Sequence, residues 1–211
     1  TIQGGTISGS GGAGLLLPAN QTGSFTGGVT LGANLTVNNN STLTVTGGLT
    51  LNSTLTLDTS IGNVTDVNFS GGVQTLGGTG TVVFAGTQAT KFLRPTAGGA
   101  LTIGSGITIQ SGTGSGGGTV GDATLGLTNQ GTISANTGGG TVLVTGLNWI
   151  NDTTGVLRAN GGTLTLGGSW DNNGVINVAA GNFTLGGTFT TAQLGTLTNT
   201  GRVTSTTPDP A

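Results

Sequence analysis

Short apolar–polar–apolar units recur along the chain, separated by Gly and Asn. Leu43-Thr44-Val45, Leu55-Thr56-Leu57 and Leu164-Thr165-Leu166 are of this kind, and Val142-Leu143-Val144 is a fully apolar variant. A period of two puts aliphatic side chains on one face of an extended strand and Thr on the other. β-Branched Thr, Val and Ile suit strands, and the Gly-Gly, Asn-Asn and Asn-Gly pairs between them supply turn residues with positive φ. No stretch carries the 3.6-residue period of an amphipathic helix, Glu is absent and Lys occurs once. The pattern predicts strands and no helix.

The units repeat at longer range. Laid against itself, the chain matches Gly27-Gly28-Val29-Thr30-Leu31 with Gly47-Gly48-Leu49-Thr50-Leu51, and a third copy begins at Gly98-Gly99 and runs through Leu101 to Ile109. The second half carries another phrase: Asn129-Gln130-Gly131-Thr132-Ile133, Thr154-Gly155-Val156-Leu157, Asn172-Asn173-Gly174-Val175-Ile176 and Asn199-Thr200-Gly201-Arg202-Val203. Its glycines, Gly131, Gly155, Gly174 and Gly201, recur at a similar but unequal interval. Such a period predicts an all-β, parallel β-helix or solenoid with rungs of about 20–27 residues, right-handed by the crossover rule. The length then gives about nine or ten rungs and a rod of about 45 Å, at about 4.8 Å per rung. Residues 1–204 read as one solenoid. The Gly/Ser/Thr-rich stretch 111–121 reads as a protruding loop or a seam between halves, and 205–211, with Pro208 and Pro210, as a linker or tail. Asn38-Asn39-Asn40 and Asn172-Asn173 fit corners, where stacked Asn side chains form hydrogen-bonded ladders.

Composition narrows the chemistry. Gly is 46 of 211 residues, charged residues are 5%, aromatic residues 4%, and His, Cys, Met and Tyr are absent. Without His or Cys, the usual zinc, haem and iron–sulfur sites and the imidazole- or thiol-based catalytic sets are excluded. Four basic residues are too few for firm nucleic-acid binding. No apolar run approaches the roughly 20 residues of a membrane helix. The chain has no initiator Met and no signal-like segment, which points to a mature fragment or an excised piece. Apolar residues at 33% and a net charge of -2 argue for a folded chain rather than a disordered linker.

The phrases Leu127-Thr128-Asn129-Gln130-Gly131-Thr132-Ile133, Gly162-Thr163-Leu164-Thr165-Leu166, Trp170-Asp171-Asn172-Asn173-Gly174-Val175-Ile176 and Gly187-Thr188-Phe189-Thr190 resemble the degenerate repeats of large bacterial surface proteins. These are the autotransporter-like and filamentous-haemagglutinin-like adhesins and related giant extracellular proteins. The resemblance covers Leu101 to Val203 best. It implies a rod used as stalk, adhesive surface or fibre on the bacterial cell surface, with no shared catalytic residues.

Individual residues offer alternatives. Asp152 and Asp171 are separated by close to one rung, with Arg158 near in sequence. Stacked on one face they would suit a glycan-active β-helix enzyme, which needs two carboxylates roughly 5–9.5 Å apart. The competing reading is that these Asp residues cap turns. Gly116 to Asp122 echoes a calcium-binding repeat once, too little to assign a metal. Lys91-Phe92-Leu93-Arg94-Pro95 breaks the composition; it reads either as a contact loop for an acidic glycan or neighbouring subunit, or as an irregular corner with Phe92 and Leu93 plugging the core. Trp149 and Trp170, also one rung apart, are expected to stack in the core of successive rungs rather than to form a sugar platform. Outward Thr in Thr42-Leu43-Thr44-Val45-Thr46, Thr54-Leu55-Thr56 and Thr163-Leu164-Thr165 raises an ice-binding alternative, weakened by unequal rung lengths.

The sequence thus predicts an extracellular structural or adhesive segment, without catalytic, metal or cofactor residues. Its expected partners are copies of itself, joined end to end or laterally, and a glycan or cell surface. With no helix to cap the coil, both ends are expected to be open and rods to join into filaments.

Overall fold

In a computed structural model, which describes residues 1–136 and 138–206, the chain winds into a β-solenoid of about eight turns built from three parallel sheets. Each complete turn gives one short strand to each sheet, and the last passage adds two strands to the first sheet and one to the third, so the sheets hold ten, eight and nine strands. The first sheet runs from Ile2–Gln3 to Arg202–Ser205, the second from Thr6–Ile7 to Trp170–Asn172, and the third from Gly14–Leu17 to Thr196–Asn199. Rung length varies while register holds: the step from Thr165 to its partner Thr184 is much shorter in sequence than the step from Phe92 to its partner Thr119. The surplus residues sit in corners. About eight turns form, rather than nine or ten, because the central rungs are long and the last pass through the second sheet is not a strand.

Alternation buries the aliphatics. Leu35, Leu55, Val82, Ile109, Ile133, Leu157 and Ile176 stand in one inward column of the third sheet, each 4% exposed or less. Burying a side chain of this size contributes about 1.5–3 kcal/mol, so a narrow core repeated rung on rung stabilises the rod without disulfides.

Three expectations change. Gly117–Val120 is a first-sheet strand, so stretch 111–121 is neither seam nor loop beyond its corner at 112–116. A Cβ on Gly118 would lie 2.7 Å from the Phe84 ring of the preceding rung, and one on Gly117, at φ +91, would lie 1.9 Å from the Thr141 carbonyl oxygen. Close packing demands these glycines. Ser205 belongs to the last strand rather than to a tail, and residues 207–211 lie outside the described residues. A helical turn, α1 (Thr191–Leu194), takes the place of a ninth second-sheet strand, with Thr190 and Gln193 forming a reciprocal capping box. No helix among the described residues is long and apolar enough to cross a membrane.

Asn serves two ways. Asn20 and Asn40 occupy left-handed corners (φ 63 and 58) and are joined by a 2.8 Å bond from Asn40 Nδ2 to Asn20 Oδ1. Asn172, expected at a corner, instead points into the core with Asn129 and Asn151 at the end of three successive second-sheet strands. Asn129 Nδ2 donates to Asn151 Oδ1 and Asn151 Nδ2 to Asn172 Oδ1, both at 2.7 Å, and Asn172 Nδ2 donates to the Leu194 carbonyl at 2.9 Å. The ladder therefore ties α1 to the coil.

Candidate functional site

The charged segment is a strand. Lys91–Pro95 lies inside the first sheet between Thr65–Phe69 and Gly117–Val120, with Lys91, Leu93 and Pro95 inward and Phe92 and Arg94 outward. It is neither a protruding loop nor a corner; of the two residues expected to plug the core, Leu93 does so and Phe92 does not. Lys91 is fully buried; its Nζ donates to the carbonyls of Gly86 and Gln88, so the corner at 86–90 folds around the ammonium. Burial pushes the Lys91 ammonium down to about 8, and the nearby Asp58 charge opposes this. On the outer face, Arg94 Nη2 lies 3.0 Å from Asp66 Oδ1, Arg94 Nε donates to Asn68 Oδ1 at 3.3 Å, and the guanidinium sits 4.6 Å above the Phe92 ring. Desolvation raises the Asp66 carboxyl above its ordinary value despite Arg94. The cluster ties neighbouring strands together, with Asp66 Oδ1 buried and without a hydrogen-bond partner.

Asp152 and Asp171 stand on successive rungs in different settings. Asp171 lies inside the strand Trp170–Asn172 opposite Ile150, whereas Asp152 follows the strand Trp149–Asn151 and turns into the next corner. There Asp152 accepts from the Thr153 amide at 2.8 Å and from Gln130 Nε2 at 3.0 Å, which hold it below the usual carboxylate range. Arg158 stands on the third sheet, between Ser134 and Asn177. Asp122, at the end of the calcium-like phrase, accepts from the amide and hydroxyl of Thr124 at 2.9 and 2.7 Å, and these bonds lower its pKa. Asp122 and Asp152 thus cap turns. No group of three potential metal-ligating side chains comes together among the described residues.

Trp149 and Trp170 stack as expected. They pair directly in register, are 0% and 2% exposed, and have ring centroids 6.2 Å apart; Phe189 continues the stack at 4.3 Å from Trp170. Their indole N–H groups donate to the carbonyls of Gly167 and Gly186, both at 2.9 Å, which fixes the rings edge-on to the corner. Where α1 replaces a strand on the second sheet, a cleft of about 390 Å³ opens beside them, lined by Asn148, Ile150, Ser169, Asp171, Thr188 and Gln193. Sequence reasoning singled out Asp171 but not the others. Thr190-Thr191-Ala192-Gln193 is a capping-box spacing, and this was the available signal for the step that forms the cleft. Comparison with known protein families, curated proteins and solved structures gives no match for this chain.

Thr is aligned more strictly than unequal rung lengths suggested. Thr54, Thr81, Thr108 and Thr132 form one outward column of the third sheet, although the rungs between them differ in length. The two ends of the coil differ. At the N-terminal end the first rung is largely exposed, and an apolar cavity of about 250 Å³ opens between Leu15, Leu17, Phe25, Leu35 and Leu43. At the C-terminal end α1, Phe189 and Leu194 cover the second sheet.

Proposed function

We propose that the chain is a structural and adhesive segment of an extracellular bacterial surface or fibre protein, and that rods join through the ends of their coils. The observation that carries this reading is the solenoid itself: three parallel sheets add rung upon rung around one aliphatic core, a geometry that a further coil of the same kind continues by parallel strand addition. Residues 1–57 contain no Asp, Glu, Lys or Arg, so no side-chain charge on those rungs opposes such pairing. Outer faces dominated by Thr and Asn, with one ion pair among the described residues, suit a rod whose surface rather than a reaction centre does the work. Electron microscopy and sedimentation across a concentration series test this. Concentration-dependent end-to-end filaments are expected, and strictly monomeric rods at high concentration overturn it. The Thr54–Thr81–Thr108–Thr132 column favours a second reading, in which the third sheet orders water at an ice surface. The neighbouring column is broken by Val83 and Gln110, and absence of thermal hysteresis would remove that reading.

A further inference from the structure

We propose that the cleft beside α1 is a binding site for a neutral saccharide. The inference gives a ligand class to the adhesive part of the reading above and does not depend on rods joining. Three successive rungs supply its polar groups: Asn148 and Ser169 at the corner before the strands, Asp171 on the outer face, and Thr188 and Gln193 where α1 begins. Two amides have their orientation set from behind. Asn148 Oδ1 accepts from Ser169 Oγ at 2.9 Å, and Gln193 Oε1 accepts from the Thr190 amide at 2.7 Å. Each therefore turns its NH₂ outward, and neither nitrogen is bonded to another described residue.

The half-buried Asp171 carboxylate likewise makes no hydrogen bond or ion pair to a described residue, so the cleft combines one anionic acceptor with two fixed donors. Vicinal hydroxyls match this set, since each donates to the carboxylate while accepting from an amide. Ile150, 37% exposed beside Asp171, offers an apolar wall to the C–H face of a sugar ring. The volume falls at the small end of ligand clefts. With no Lys or Arg in its lining, the cleft offers no charge for an acidic glycan.

The test uses the chain's own reporter. Its two tryptophans both line the cleft, so intrinsic fluorescence of the full chain, titrated with neutral mono- and oligosaccharides such as galactose, mannose and cello-oligosaccharides, reads that site alone. A saturable change is expected. Asp171→Ala and Gln193→Glu are expected to weaken it at least tenfold, the latter keeping the capping oxygen while removing the donors. Asp152→Ala, on the neighbouring corner, is expected to leave it unchanged, and circular dichroism checks that each variant stays folded. Thr188→Val gives a further exposed position should Asp171→Ala not fold. No saturable change with any neutral saccharide, or one that persists in both Asp171→Ala and Gln193→Glu, overturns the proposal. So does a change produced by calcium without sugar, which would reassign the carboxylate to a cation. Each of these leaves the filament test untouched.

Discussion

The Asn ladder makes a quantitative prediction because its members are not equivalent. Asn151 sits in the middle. It accepts from Asn129 Nδ2, donates to Asn172 Oδ1, and also donates to the Gly155 carbonyl at 3.1 Å. Leu is close to Asn in shape, so Asn151→Leu deletes the bonds without a large cavity. The substitution strands Asn172 Oδ1 and one Asn129 N–H in a site where Asn129, Asn151 and Asn172 are 3% exposed or less. A buried polar group left unpaired costs about 1–3 kcal/mol, so two put the loss at about 2–5 kcal/mol, softened by the aliphatic gain of Leu. Asn129 is different: its Oδ1 is already buried without a partner, because the adjoining rung presents Ile103. Asn129→Leu removes one orphan and creates another at Asn151 Oδ1, and the new side chain meets Ile103. Its expected cost is below about 1 kcal/mol. Urea denaturation followed by circular dichroism measures both, with the slope checked for constancy. If Asn129→Leu costs as much as Asn151→Leu, the ladder does not act as a chain of directed bonds and the reasoning fails.

Other perturbations have definite signs. Lys91 has a folded pKa of about 8 against an ordinary 10.5, so folding disfavours its charged form. The penalty is present in full below pH 8 and is relieved as pH rises towards 10.5; melting temperature should climb across that window. Lys91→Met should flatten the climb, and with Tyr and Cys absent no other side chain titrates there. Gly118→Ala places a methyl group 2.7 Å from the Phe84 ring and should cost about 1–3 kcal/mol, whereas Gly62→Ala meets nothing within 4 Å and should be near neutral; urea midpoints compare them. Phe189→Ala removes the ring stacked on Trp170, and should red-shift Trp emission and speed amide exchange in α1 while leaving the melting of the N-terminal rungs unchanged.

Legibility followed locality. Rung corners such as Gly27-Gly28 and Gly47-Gly48 were readable because each repeats a local need for positive φ, and all four glycines adopt it. The Trp pair was readable because two like residues stood one rung apart. Lys91–Pro95 looks irregular in sequence because its two charges break the composition, although the alternation of Lys91, Leu93 and Pro95 is that of an inward face. What permits a buried lysine there is a pair of carbonyls at Gly86 and Gln88 that no local pattern announces. The strand at Gly117–Val120 was hidden for a similar reason. Its glycines answer to the size of Phe84, more than a full rung earlier in the chain than Gly118, and composition alone gives them the look of a loop. The cleft needs one corner from each of three rungs and an interrupted sheet, so only Asp171 stood out in sequence.

The unequal rungs and the interrupted second sheet have a common cause. Parallel pairing constrains the strands, because a one-residue slip turns a whole inward column outward. Corners carry no such constraint, and rungs as different as Thr165-to-Thr184 and Phe92-to-Thr119 keep their columns in line by placing the difference there. Variation therefore accumulates at corners while the sheet faces stay uniform, and specific contacts are expected at corners. The last passage through the second sheet carries this furthest. There the chain forms α1 instead of a strand, and one substitution of local structure has three effects: Leu194 receives the end of the Asn ladder, Phe189 seals the Trp stack, and the cleft opens beside Asp171.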